Sequence, residues 1–224
     1  GQYVSSAFTW TGKLGSPGII AFLGRDANTG EWQNPVDTKE VRVCASSMDK
    51  QVSGGLQMVV DHEHRSNVCF QTEDSPYSWV ILDFGERSVC PTGYSLALRG
   101  VSEAYMRYWQ FEGSDDNSQW TILSRHDNDT SLNRTSCVAS WAVHGGQYYR
   151  YLRVVLDPFG NSLGGSALAF NSLEVYGDLR TPPSGFANVY RNQKTVVQDG
   201  MAGPRPFNAG AGMAGFGQPM RGQL

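Results

Sequence analysis

The sequence has no run of about eighteen apolar residues and no block of like charges. The first absence excludes a membrane-spanning helix, and the second gives no indication of nucleic acid or an anionic membrane as a partner. The formal net charge is −3, with charged residues at 17% of the 224 residues. Because the chain begins with Gly and no apolar signal segment follows, we expect it to be a fragment or a processed form.

Cysteine is scarce and widely spread. Cys44, Cys69, Cys90 and Cys137 form no C-x-x-C pair and have no histidine at zinc-finger spacing. The count allows two disulfides, but a domain of this size does not need them. Cys44 and Cys90 lie among apolar residues, where a free thiol packs as a small hydrophobic group. These observations favour reduced thiols and a cytoplasmic setting, with a cytoskeletal or ciliary assembly among the candidates and an extracellular setting less favoured.

A sustained helical stripe of apolar residues is also missing, and period-two alternation takes its place between Val41 and Tyr176. The alternating segments are rich in β-branched and aromatic residues and are separated by turn formers, which is typical of strands. They predict an all-β fold, a β-sandwich or jelly roll. The segments are VRVCASS, SWVILDFG, TGYSLALRG, MRYWQFEGS, QWTILSR, VASWAVH, YYRYLRVVL and ALAFNSLEVYG, and AFTW and GIIAFLG are candidates for one or two more.

The alternation stops after Asp178, where Gly, Pro and polar residues take over. A segment of this composition does not bury enough apolar surface to fold alone. We therefore expect one domain over residues 1–180, followed by a disordered or extended Gly-rich tail over residues 181–224. If the tail is ordered, something outside the domain is expected to hold it, as in a larger assembly.

Two enzyme-like motifs lack the structural context that their chemistry requires. GAGMAG, from Gly210 to Gly215, matches a dinucleotide fingerprint but has no preceding strand and no following helix. GYSLA, from Gly93 to Ala97, is one residue short of a nucleophile elbow, and Ser95 lies within a predicted strand. Because no nucleophile, base and orienting group can be placed together, we predict that the domain is not an enzyme.

Two polar segments are candidates for a metal. His62 and His64 in DHEH lie on one face of an extended chain, but no distant third ligand is evident. In SRHDNDTSLNRT, from Ser124 to Thr135, an EF-hand register fails because the glycine and the final glutamate are absent. A structural calcium ion at an irregular site remains open, and the alternative is a loop stabilised by side chains bonded to local backbone. Leu132, the apolar residue of that loop, is predicted to plug the end of the sandwich. Otherwise we expect no cofactor.

Five characteristic segments follow one another in order along the chain. They are WQNP, VRVCASS, WVILDFGERSVCPTGYSLALRG, MRYWQFEGSDDNSQWTILSRHDNDTSLN and YRYLRVV…GNS…LAFNSLEVYG. Together, over about residues 5 to 179, they resemble discoidin-like, galactose-binding-type jelly-roll domains. Such domains are found in some BTB-domain and HECT-type ubiquitin ligase proteins and are relatives of the DOC domain of the anaphase-promoting complex. The chain departs from this family in two respects: no Cys lies near either end to form the disulfide common in secreted members, and residues 48–76 match poorly.

The resemblance implies a non-enzymatic binding module for protein-protein interaction within a larger protein or multi-subunit assembly. That module would be either a ubiquitin-ligase-type recognition arm or a scaffold component. The alternative is a carbohydrate-binding, lectin-like module, since more distant relatives bind sugars. The sugar alternative predicts disulfides and glycans at Asn128 or Asn133, and the scaffold version predicts that the tail lies along neighbouring chains.

The alternating direction of consecutive strands predicts where a ligand binds. Consecutive strands in such sandwiches are mostly antiparallel, so connections alternate between the two ends. One end of the sandwich, which we call the near end, is expected to hold connections 69–77, 100–106, 125–137 and 157–166. Connections 85–91, 114–118 and 145–148 are expected at the far end. The near-end loops are longer, and binding concentrates in loops on a rigid scaffold.

Tyr and Arg dominate interface hot spots, which favours Tyr77, Tyr105 and Arg107 as binding residues. Packing at the sandwich edge is the alternative for the last two. Trp79, Trp109, Trp120 and Trp141 alternate within strands and are predicted to be core. The full set of predicted partner-binding residues is Trp32, Asn34, Tyr77, Arg99, Tyr105, Arg107, Asn128 and Asn161.

Overall fold

A computed structural model describes residues 2–11, 17–62, 68–98, 103–134, 137–183 and 196–197. The chain order begins with one strand, a short helix α1 (Ile19–Leu23), a second strand and a 3-10 helix (Leu56–Val60), and continues with strands only. The strands are β1 (Val4–Phe8), β2 (Arg42–Ala45), β3 (Phe70–Gln71), β4 (Trp79–Asp83), β5 (Ser88–Leu98), β6 (Trp109–Ser114), β7 (Thr121–His126), β8 (Cys137–Ala142), β9 (Tyr151–Leu156), β10 (Ala169–Thr181) and β11 (Val196–Val197).

The strands form two sheets. The first has the order β1-β10-β5-β8, with β3 also paired to β10, and the second has the order β11-β2-β4-β9-β6-β7. All pairings are antiparallel except the parallel pairing of β11 with β2. This is the all-β jelly-roll sandwich that the alternation predicted.

The core lies between the two sheets because alternate residues of each strand point inward. Val80, Leu82, Leu96 and Phe111 are fully or almost fully buried in it. Leu132 is also completely buried in this core, which confirms its predicted role as a plug. Apolar burial of this kind is the main stabilising contribution to such a fold.

The prediction of an extra strand at residues 18–24 is wrong, because this segment forms α1. The reason is a distant carboxylate. The buried Glu174 side chain of β10 accepts hydrogen bonds from the amides of Gly18 (3.2 Å), Ile20 (2.8 Å) and Ala21 (3.0 Å). Amides of a first helical turn have no partner within the helix, so this carboxylate replaces the missing N-cap. The other candidate strand, AFTW, overlaps β1.

The four tryptophans predicted as core occupy three different environments. Trp109 is completely buried between the sheets, and Trp141 packs against the same cluster while remaining partly exposed. Trp79 is buried on the other face of the second sheet, where Trp120 packs against it in a small separate cluster. Side chains alternate between the two faces of the sheet along β4. Because Val80 and Leu82 take the inward positions, Trp79 lies on the opposite face.

The predicted domain boundary falls at the end of β10, which runs to Thr181. Within the predicted tail, Val196 and Val197 pair with Cys44 and Ala45 of β2. Residues 184–195 and 198–224, which make up most of the predicted tail, lie outside the described residues.

All four cysteines are free thiols in the structure. In the described ranges, neither short helix has the length and apolar character of a membrane span.

Candidate functional site

The near-end loops lie together, as the alternating strand directions predicted. The Ser166 amide donates to Asp74 Oδ1 at 2.6 Å, which joins the loop before β4 to the loop after β9. The Arg107 amide donates to the Gly160 carbonyl at 2.8 Å, and the Asp129 amide donates to the Arg107 carbonyl at 2.9 Å. Four connections therefore form one continuous surface. We call residues 72–78, 103–108, 127–134 and 157–166 the rim.

Asn161 fixes the shape of the last rim loop. Its Oδ1 accepts hydrogen bonds from the amides of Leu163 (3.0 Å) and Gly165 (2.9 Å), and its Nδ2 donates to the Ala167 carbonyl at 3.2 Å. The side chain is buried. Because these bonds occupy most of its donors and acceptors, Asn161 positions the loop, and its role in binding stays a prediction.

Two aromatic residues of the rim have an unusual backbone conformation. Tyr77 has φ of 59° and Phe159 has φ of 57°, both in the left-handed region. An L-residue there loses roughly 1–2 kcal/mol relative to the right-handed region. Phe159 is 71% exposed, so packing does not explain its position, whereas Tyr77 is 37% exposed and packs in part. Strained residues of this kind concentrate at functional sites.

Phe159 was missed by the sequence prediction, as were the exposed Tyr108 and Leu163 of the same rim. A signal was present in the sequence. Phe159 and Leu163 are large apolar residues in PFGNSLGG, a segment otherwise made of turn formers, where apolar side chains have no core to enter. Tyr77 and Tyr105, which were predicted, lie beside them on the neighbouring loops.

Arg107 ties two rim loops together. Its Nη1 donates to the Leu132 carbonyl at 2.6 Å and to the Met106 carbonyl at 2.9 Å, and its guanidinium lies 5.7 Å from the centre of the Tyr105 ring. Both Arg107 and Tyr105 are half-buried. Tyr105 and Arg107 therefore both lie in the rim, and Arg107 uses part of its hydrogen-bonding capacity to hold the loops together.

Asp129 holds the oxygen-rich loop that opens after β7. Its Oδ2 accepts hydrogen bonds from His126 Nδ1 (2.8 Å) and Trp141 Nε1 (2.9 Å), and its Oδ1 accepts one from the Ser131 amide (2.8 Å). Burial alone would raise the pKa of Asp129, but the hydrogen bonds from Ser131, His126 and Trp141 outweigh it and lower that pKa. The predicted Asn128 lies exposed at the apex of this loop, with φ of 48°.

His126 lies at the centre of a buried network beneath the rim. Its ring stacks on Trp109 with centroids 3.9 Å apart, and its Nε2 lies 2.8 Å from the hydroxyl of Tyr94 and 2.9 Å from the hydroxyl of Ser124. Burial lowers the pKa of His126, so the ring is neutral near pH 7, and donation to Asp129 places its proton on Nδ1.

Ser124, His126 and Asp129 are hydrogen-bonded in the order of the serine, histidine and carboxylate of a hydrolase triad. However, the surrounding network does not leave His126 available as a base. The Tyr94 hydroxyl accepts the indole N–H of Trp109 at 3.0 Å and can direct its own proton to Nε2 of His126. The single lone pair of Nε2 is thus contested by two hydroxyl groups, and His126 is almost wholly buried. The arrangement joins the two sheets under the rim rather than activating Ser124.

The contacts described for Trp32 and Asn34 are with residues outside the rim. Trp32 stacks on His62 with ring centroids 5.1 Å apart, and Asn34 Nδ2 donates to the Gln57 carbonyl at 2.9 Å. Both residues pack within the segment 17–62 on the flank of the sandwich. Arg99 lies outside the described residues.

The described residues contain no group of three His, Cys, Asp or Glu side chains that could hold a metal ion. His62 Nδ1 is 3.6 Å from Glu174 Oε2, so one histidine of DHEH faces the carboxylate that caps α1. His64 lies outside the described residues. Calcium at the oxygen-rich loop stays a prediction.

Sequence comparison places the chain beside much longer proteins. E3 ubiquitin-protein ligase Ufd4 of Drosophila melanogaster is 29% identical over 180 residues, covering 77% of this chain and 6% of the ligase. A BTB/POZ domain-containing protein of Arabidopsis thaliana is 27% identical over 171 residues, covering 74% of this chain and 21% of that protein. The chain therefore spans only a small part of the relatives that it matches. No protein-family model matches it.

Structure comparison identifies the fold. A fucolectin from the serum of the striped bass, Morone saxatilis, superposes with a TM-score of 0.51 at 13% identity. The match covers 63% of this chain and 48% of the lectin. At this identity the likeness establishes the fold alone. The chain thus has the galactose-binding-type jelly-roll fold, and its resemblance to the discoidin-like domains of BTB-domain and ubiquitin ligase proteins is confirmed.

Proposed function

We propose that the chain is a non-enzymatic protein-interaction module that holds a partner segment across the rim. The observation that carries this proposal is the pair of exposed aromatic side chains, Tyr77 and Phe159, on left-handed backbone in adjacent loops. Aromatic side chains contribute large contact areas at interfaces and lose little conformational entropy on binding. The rim loops are already fixed by hydrogen bonds, so a partner does not have to order them.

The charges of the rim indicate the chemistry of the partner. Among its described residues, Glu73, Asp74, Glu103 and Asp127 are exposed acids, whereas Arg134 is the exposed base. Opposite charges steer association and select partners. The favoured partner segment therefore carries Lys or Arg beside an apolar or aromatic anchor.

The relatives support a protein partner. One of the two relatives described above is an E3 ubiquitin-protein ligase by name, and the other is a BTB/POZ domain-containing protein. In each of them the matching segment is a small part of the chain, as expected for an appended recognition domain. A cytoplasmic setting, with the four cysteines kept as free thiols, belongs to the same proposal.

A random-peptide display library, screened on the immobilised chain, tests the proposal. We expect enrichment of segments with a basic residue next to an apolar one, and the Kd of one such peptide can be measured by fluorescence anisotropy. Tyr77→Ala and Phe159→Ala should each weaken its binding by about 5- to 30-fold, because each removes an anchor of roughly 1–2 kcal/mol.

Asn117→Ala is the matched control, because Asn117 is also exposed and left-handed but lies at the far end. It should leave the Kd unchanged. Equal affinity of the Tyr77→Ala, Phe159→Ala and Asn117→Ala chains would contradict the proposal.

Carbohydrate binding is the alternative, and the exposed ring of Phe159 beside the polar Asn128 loop favours it as a stacking platform. The fold likeness to a fucolectin points in the same direction. A glycan array separates the two functions. Glycan binding that is lost in Phe159→Ala, with no peptide enriched, would support the lectin-like role.

A further inference from the structure

Strand β8 leaves one edge of the first sheet open. It comes last in the order β1-β10-β5-β8, and among the described residues it pairs with β5 alone. The 6 residues of β8 match β5 without a bulge, from Cys137 opposite Leu98 to Ala142 opposite Gly93. Because an edge strand has unpaired N–H and C=O groups along one side, it is a template for the addition of another strand.

A hydrogen bond just beyond β8 shows which of its backbone groups point outward. The Val143 amide donates to the Thr92 carbonyl at 2.9 Å, so Val143 faces β5. Successive residues of an antiparallel strand alternate between facing the paired strand and facing away from it. The N–H and C=O groups of Val138, Ser140 and Ala142 therefore point away from β5.

The side chains agree with this assignment. The hydroxyl oxygens of Ser95 and Ser140 lie 2.8 Å apart, and side chains approach more closely in pairs that are not hydrogen-bonded through the backbone. In the described ranges, no further hydrogen bond reaches the backbone of Val138, Ser140 or Ala142. Val138 and Ser140 are half-buried and Ala142 is exposed, so another strand can approach this edge.

The neighbouring edge strand, β7, is protected in ways that β8 is not. The two edges lie on the same side of the sandwich, since the rings of His126 in β7 and Trp141 in β8 have centroids 5.2 Å apart. The register of β6 with β7 shifts between Phe111 and Glu112, and the exposed Arg125 adds a charge to β7. Bulges and charges are devices that prevent the pairing of edge strands. The sequence of β8, CVASWA, has no charge and no proline, and its register has no bulge.

The sequence of β8 is compatible with antiparallel pairing to itself. A pairing centred on Ser140 places Ser140 opposite its own copy and Val138 opposite Ala142 of the second copy. This register uses every outward-facing group of both strands, and the outward residues of the two copies then form about six hydrogen bonds. Because β8 carries no charged side chain, the pairing brings no like charges together.

We infer that β8 pairs with β8 of a second copy of this chain across a two-fold axis. The pairing joins the first sheets of the two copies into one continuous sheet. Each copy contributes the same surface, as in other two-fold dimers, and the small contact area makes the dimer weak and reversible. The pairing does not depend on the proposed function of the rim.

Sedimentation velocity of the full chain tests the inference. We expect a monomer–dimer equilibrium over about 10 to 500 μM, a range that corresponds to the weak binding of a small interface. Ser140→Lys places two ammonium groups opposite each other at the centre of the pairing, and we expect the dimer Kd to rise about 5-fold or more. Ser140→Ala, which removes only the hydroxyl, should leave the Kd near that of the unaltered chain.

A proline variant removes an outward N–H group without adding charge. Val138→Pro retains the pairing of β8 with β5, because proline is tolerated in an edge strand where its missing N–H would face outward. We expect it to raise the dimer Kd about 5-fold or more, since each copy loses a donor to the other. Val138→Thr keeps the N–H and the β-branched shape, and it should leave the Kd unchanged.

Amide hydrogen exchange of the unaltered chain gives a measurement that needs no variant. Raising the chain concentration through the dimer Kd should slow the exchange of the Val138, Ser140 and Ala142 amides, because each gains an acceptor. The amides of β1, at the other edge of the first sheet, should keep their rates.

Ser5→Lys is the positional control, because it adds the same charge to an exposed serine of β1. It should leave the dimer Kd unchanged. A chain that stays monomeric over the whole concentration range would overturn the inference. A dimer that Ser140→Lys leaves intact would overturn it too, as would one that Ser5→Lys dissociates, since the interface would then lie at β1.

Discussion

The two ends of the sandwich use the same backbone conformation with different residues. At the far end, left-handed positions are occupied by Gly85, Asn117 and Gly146, residues that adopt this conformation with little strain, and by Lys39 just before β2. At the near end, Asn128 and Gly164 occupy it, and so do the aromatic residues Tyr77 and Phe159, whose side chains are exposed. Among the described residues, the near end therefore places aromatic side chains on left-handed backbone, and the far end does not. This contrast supports the proposal that a partner binds at the rim.

The largest expected effect is on the network that supports the rim. Asp129→Ala removes the acceptor for His126, Trp141 and the Ser131 amide, and we expect a loss of about 2–3 kcal/mol in the free energy of unfolding. The far-end match is Asp116→Ala, which removes an exposed turn acceptor for the amides of Ser118 and Gln119. Urea denaturation should show the smaller loss for Asp116→Ala, and equal losses would abolish the contrast between the ends.

A pH dependence of intermediate size follows from His126. Burial lowers its pKa below the ordinary value of 6.5. The unfolded chain then takes up a proton near pH 6.5 that the folded chain takes up only at lower pH, so His126 lowers the stability as the pH drops below 6.5. Glu174, whose pKa burial raises to about 7, contributes in the opposite direction over this range. A single group contributes at most about 1.4 kcal/mol per pH unit.

The measurement is the free energy of unfolding at about pH 7.5 and about pH 5.5, a range that spans the ordinary histidine pKa. His126→Gln should abolish the contribution that lowers the stability at the lower pH. His144→Gln, which removes an exposed histidine of the far end, should retain it. The explanation fails if the two variants behave alike.

The smallest expected effect is a gain in stability. Phe159→Gly relieves the left-handed strain and removes little packing, so we expect the free energy of unfolding to rise by about 0.5–1 kcal/mol while peptide binding weakens. Asn117→Gly at the far end should change it by less than about 0.5 kcal/mol. Thermal unfolding of the two variants checks both values. A clear loss of stability in Phe159→Gly would show that the ring supports the fold.

The rim could be predicted from the sequence because its position depends on strand alternation and antiparallel order. Leu132 was predicted as a plug because it is the apolar residue of a loop that closes one end of the core. The conformation of Phe159 could not be predicted. It depends on a loop held by Asp74, which bonds Ser166 across 92 positions of sequence. Helix α1 was mispredicted on similar grounds, since Glu174, its capping residue, lies 154 positions from Ile20.

The pairing of the first strand with the last has a consequence for how this domain can be used. Val4 lies opposite Thr181, so the first strand and the last long strand of the sandwich have their outer ends at the same place. A unit with adjacent ends can be inserted into a loop of a host protein without separating the flanking parts of the host. Transplantation into new polypeptides therefore requires no long connector, and the rim stays available wherever the unit is placed.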